Sequence, residues 1–148
     1  MVCQKISIEK DGQNFRPVAK TTGLTQTKGA TEKTVIIFDR AFAADDYLFL
    51  GSTGIVLPQN VGTYTHEFGH VVALTSPGVE KAFQDFVKKK HIQPVTKYAA
   101  SKPKEGYPES FPEAFALYNT DPKWMQMNLP DLYDWFEKLS RTGKAPAP

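Results

Sequence analysis

Thr65-His66-Glu67-Phe68-Gly69-His70 carries two imidazoles and a carboxylate in six consecutive residues. Residues four apart share one face of an α-helix, so His66 and His70 can aim ring nitrogens at a single point. Glu67 falls beside that face, within reach of a water held there. Two of the chain's three histidines lie in this stretch. The order H-E-x-x-H suits a hydrolytic Zn2+ site, with the glutamate as general base. The competing reading is a helix that carries two histidines for packing or solvation, so the rest of the chain has to supply context.

Working outward, residues 33 to 39 (Lys-Thr-Val-Ile-Ile-Phe-Asp) are apolar and β-branched enough for a buried strand. Gly54-Ile55-Val56-Leu57 reads as a second strand closed by Pro58, and a sheet edge there could hold an extended peptide by strand addition. Residues 40 to 50 read as a short helix or turn. The motif helix is expected from about Asn60 to Leu74, with Val61, Tyr64, Phe68, Val71, Val72 and Leu74 as its apolar surface. Ser76-Pro77-Gly78 breaks it. Further helices are expected at about 79 to 90, 110 to 118 and 131 to 140, with a connector and room for a short helix at 94 to 101. Asp121-Pro122 is read as the end of the third. Residues 1 to 31 are polar and look irregular apart from a short strand at Gln4 to Ile8. The expected organisation is a poorly defined segment at 1–31, a domain at 32–142 and a frayed tail at 143–148.

With 148 residues the chain suits one domain with one core. Hydrophobic residues at 41% and charged residues at 23% are ordinary for a soluble globular protein. A net charge of +2 gives no argument for nucleic acid or a membrane surface. Lys88-Lys89-Lys90 sits at an expected helix end, where cations suit the dipole. Cys3 is the single cysteine, so no internal disulfide forms. No apolar run approaches the roughly 20 residues of a membrane span. Residues 1 to 20 have no signal-peptide apolar segment. Three readings stay open: a cytoplasmic protein, one delivered by another route, or a piece of a larger polypeptide.

A catalytic zinc site usually has three protein ligands and a water. Val71-Val72-Ala73-Leu74-Thr75-Ser76 offers neither the glycine nor the third histidine of one large class, and His91 reads as a helix-terminus residue. A carboxylate on another helix is the alternative. Glu105, Glu109 and Glu113 recur four apart. One could bind the metal while another accepts a hydrogen bond from a ligating imidazole and fixes its tautomer. Against this, Ser110 with Glu113 could simply form a capping box.

The segment Glu109-Ser110-Phe111-Pro112-Glu113-Ala114-Phe115-Ala116-Leu117-Tyr118 resembles the E-x-F-A-E-x-F stretch that follows H-E-F-G-H in the anthrax lethal factor-like metallopeptidases, a group that includes the clostridial Pro-Pro endopeptidases. Tyr98-Ala99, Pro122 and Pro130-x-x-Tyr133 are also in character, and the resemblance spans about residues 54 to 140. Pro112 stands where the family usually has alanine, as a helix's first turn allows. The resemblance implies an α+β, zincin-like metallopeptidase domain: a small mixed sheet packed on the H-E-x-x-H helix, with a mainly helical C-terminal half. It implies zinc on His66, His70 and Glu109, Glu67 as base, Glu113 behind a ligand, and Tyr98 at the oxyanion. Tyr98 to Glu105 has the family's separation, so Glu105 competes with Glu109 and Tyr107 with Tyr98. The activity implied is zinc-dependent hydrolysis of a protein or peptide substrate by a secreted or injected bacterial toxin or effector. The alternative is a non-catalytic binding module of a larger toxin that keeps zinc for stability.

Overall fold

A computed structural model describes residues 4–9, 23–28, 32–38, 46–48, 56–103 and 106–147, with short strands first and helices after. Strand β3 (Glu32–Phe38) lies between β1 (Gln4–Glu9) and β2 (Gly23–Lys28) in a mixed sheet. β1 runs parallel to β3 and β2 antiparallel, so Val35 faces both Ile6 and Thr25 across the ladders. A two-stranded antiparallel ribbon follows, β4 (Asp46–Leu48) with β5 (Val56–Pro58). β5 runs directly into helix α1 (Gln59–Thr75). Then come α2 (Val79–Lys89), a 3-10 turn (Ala99–Ser101), α3 (Ser110–Thr120), α4 (Pro122–Asn128) and α5 (Pro130–Thr142).

The helical core forms because α2 and α5 are amphipathic at the helical period. Val79, Phe83 and Phe86 of α2 are buried, as are Leu132, Trp135, Phe136 and Leu139 of α5. They close on α3, whose Phe111 ring lies 5.4 Å from Phe83 and 5.7 Å from Phe136 between centroids, edge-on to the first. α3 is enclosed along most of its length, from Ser110 to Ala114 and again at Ala116 and Leu117. One side of it faces this aromatic core. Another side meets α1, where a Cβ on Gly69 would lie 2.8 Å from the Pro112 Cα. The missing side chain at Gly69 therefore sets how near the two helices come. Gly69→Ala is expected to destabilise the fold by about 1–3 kcal/mol through overpacking. Urea unfolding checks this, and an unchanged midpoint would contradict the close contact.

The end of α2 shows strain at a non-glycine residue. Ile92 N donates to Val87 O at 2.9 Å and His91 N to Lys88 O at 3.3 Å, the paired bonds of a Schellman cap. The cap requires a left-handed residue, and His91 occupies it with φ 54°. His91→Gly should raise stability by up to about 1 kcal/mol, read as a higher urea midpoint. A lower midpoint would mean that the imidazole makes a contact worth more than the strain.

The structure corrects several readings of the sequence. Residues 23–28, taken as irregular, form β2, because a polar Thr-Gln-Thr strand is fixed by its partner β3 and not by its own pattern. Residues 46–48, read within a short helix or turn, are β4. Asp121-Pro122 also begins a helix. The Asp121 side chain accepts from Trp124 N at 2.9 Å as the N-cap of α4, with Pro122 in the first turn, where its missing N–H costs nothing. On α1, Val61, Tyr64 and Leu74 are exposed, while Thr63, His66, Glu67 and Val71 are buried. This helix buries Thr63, His66 and Glu67 while three of its apolar side chains stay exposed. The capping box is also absent: Ser110 is already helical, and Glu109 at the N-cap makes no side-chain cap hydrogen bond.

Candidate metal centre

One helical turn sets His66 and His70 side by side on α1, with ring centroids 4.9 Å apart and planes at 79°. The start of α3 brings Glu109 to them. Its Oε2 lies 3.1 Å from His70 Nε2 and 3.3 Å from His66 Nε2. One donor atom from each of the three residues lies within 4.8 Å of the others. Zinc ligands at about 2.0–2.1 Å in a tetrahedron stand about 3.3 Å from one another. The two N···O separations match that edge, and two imidazoles with one carboxylate form a donor set suited to zinc. The residues present therefore fit the ion.

One turn along α3, the fully buried Glu113 takes up the far side of His66, with Oε1 2.5 Å from Nδ1. A carboxylate at Nδ1 holds the proton there and turns the Nε2 edge of the ring toward Glu109 and His70. Glu105, the third candidate carboxylate, lies outside the described residues.

The electrostatics of the cluster favour positive charge at its centre. Burial works against a charged His66, yet hydrogen bonds to Glu109 and Glu113 outweigh it and raise its pKa to about 9. Hydrogen bonds from His66 and His70 hold the Glu109 carboxyl well below the usual carboxylate range. Glu67 is buried beside His66, and burial pushes its pKa up, while the Thr25 hydroxyl and the two histidines pull against that shift. A cation among these carboxylates would relieve their mutual repulsion and their burial.

Tyr98 leans over the cluster, its ring centroid 5.7 Å from that of His66, with half of its surface exposed. Burial of its hydroxyl end and the negative charge of Glu109, Glu113 and Glu67 push the phenol up to about 12. It therefore stays protonated, as a hydrogen-bond donor, at neutral pH. The turn behind it is fixed by the buried Thr96, whose Oγ1 accepts from Ala99 N at 3.0 Å. Tyr107 lines a cavity of about 570 Å³ with Phe83, Lys88 and Leu132, and no member of the cluster is among the described lining residues. His91 lines that same cavity, apart from the cluster.

The site also contains a residue that the sequence did not indicate. Thr25 Oγ1 on β2 lies 2.6 Å from Glu67 Oε2 and 3.0 Å from the Glu67 backbone oxygen. Its one available signal was the recurrence of threonine at 25 and 27, a period-2 spacing inside an otherwise polar run. Compared with known proteins, the chain matches no family model, no curated protein and no solved structure at a significant level.

Proposed function

We propose that this chain is a zinc-dependent endopeptidase domain of zincin-like, α+β type, acting on a protein or peptide substrate. The observation that carries the proposal is the convergence of His66, His70 and Glu109 with Glu67 beside them and Glu113 behind. In this reading His66, His70 and Glu109 hold the zinc, and Glu113 keeps the His66 ring oriented with its lone pair inward. Zinc bound there would supply Lewis acidity and lower the pKa of a water to about 7. Glu67 accepts the proton of the attacking water and passes it to the leaving amine. The Tyr98 hydroxyl donates to the oxygen of the scissile carbonyl as negative charge builds there. A bacterial toxin or effector role belongs to the same proposal and rests on the sequence resemblance alone.

The intact Glu67 favours a catalytic over a structural metal site, since a structural zinc has no use for a base and takes four protein ligands. Three converge among the described residues. The test is metal analysis of unchelated protein together with cleavage of a quenched fluorescent peptide library. One zinc per chain and hydrolysis abolished by 1,10-phenanthroline and restored by added zinc are expected. A chain that takes up no zinc would refute the proposal.

A further inference from the structure

We propose that Thr25 is a positioning residue that holds the Glu67 carboxylate where a general base has to stand. The inference rests on the peptidase reading and adds to it a strand that the motif does not contain. Thr25 has one hydroxyl proton and two acceptors in range on the same residue, the carboxylate Oε2 at 2.6 Å and the backbone oxygen at 3.0 Å. The shorter contact goes to the group that carries charge, and a charge-assisted hydrogen bond is about twice as strong as a neutral one. The proton therefore belongs to the carboxylate.

The placement of Thr25 is independent of that bond. In the antiparallel ladder Thr25 stands directly opposite Val35, so both side chains project from the same face of the sheet. Val35 is buried in one cluster with Val71 of α1. That contact lays the face carrying Thr25 against the helix carrying Glu67. The sheet therefore delivers a hydroxyl to the base from 42 residues away. Glu67 is a long side chain with three rotatable bonds, and burial alone does not choose among its rotamers. A fixed donor does. This arrangement resembles the role of Glu113 toward His66: both Glu67 and His66 of α1 are held by a partner on a neighbouring element.

The experiment compares zinc-loaded wild type, Thr25→Val and Thr25→Ser. Valine keeps the shape and removes the donor; serine keeps the donor. The probe is acetohydroxamic acid, which chelates zinc and hands its hydroxyl proton to an adjacent carboxylate, so its affinity reports where the base stands without any substrate. Calorimetry should show about 10-fold weaker binding to Thr25→Val, as loss of a hydrogen bond to a charged group predicts, with Thr25→Ser within about twofold of wild type and zinc content equal in all three. With a peptide that the wild type cleaves, Thr25→Val should lower kcat about 10-fold and leave KM unchanged. Equal hydroxamate affinity in wild type and Thr25→Val would overturn the positioning role and leave the peptidase reading standing. Loss of zinc or of fold in Thr25→Val would also overturn it, by making Thr25 a structural residue. A wild type that takes up no zinc would defeat the peptidase reading itself.

Discussion

Glu67→Gln is expected to leave the protein folded and zinc-loaded while slowing peptide hydrolysis by about 10²–10⁴-fold, the range for loss of a positioned general base. The amide has the shape of the carboxylate and can still receive a hydrogen bond from Thr25 on its oxygen, so packing at this buried position is retained. It cannot take a proton at neutral pH. Because Glu67 is not among the three converging donors, zinc content should not fall. The two measurements must separate: metal per chain unchanged, turnover lost. Native-rate cleavage by this variant would remove Glu67 from the mechanism.

Glu109→Ala is expected to do the reverse, emptying the site of zinc and losing hydrolysis with it. Its Oε2 lies within 3.3 Å of both imidazole Nε2 atoms, the one carboxylate oxygen so placed among the described residues. Substituting residues that merely support ligands typically costs 10–100-fold in metal affinity. Loss of a ligand should exceed that, so the zinc dissociation constant should rise more than about 100-fold in a chelator competition. The fold should survive, because Glu109 makes no side-chain cap hydrogen bond to α3 and is not fully buried. Glu113→Gln should fall in the 10–100-fold range, and the contrast between the two glutamates is diagnostic. If Glu109→Ala keeps its zinc, the ligand assignment is wrong.

The legible and illegible parts of this protein divide by how far apart the interacting residues lie. His66 and His70 could be read directly as a pair, because the helical repeat alone puts them on one face with Glu67 beside it. The amphipathic helices α2 and α5 could be read for the same reason. Glu109 and Glu113 could be read as a pair four apart, but which one faces which nitrogen depends on how α3 meets α1. Thr25 could not be read, since nothing local to Gly23–Lys28 points to Glu67; the pairing with β3 and the Val35–Val71 contact do so. α1 misled for a different reason. Amphipathic patterning assumes that a helix buries its apolar stripe. This helix exposes Val61, Tyr64 and Leu74 and buries Thr63, His66 and Glu67, because its inner side faces the glutamates of α3 and the threonine of β2. The α4 start at Asp121-Pro122 was legible in principle, since the same dipeptide that ends one helix can open the next.

The contact between Gly69 and Pro112 has a consequence for how the proposed site would take up an ion. Backbone meets backbone there with no side chain between, so the span from imidazole to carboxylate is set by the chain's own packing before any ion arrives. The proposed chelate is thus preorganised. Stripping and reloading the metal should proceed as a simple exchange in a folded molecule, with circular dichroism unchanged between the two forms.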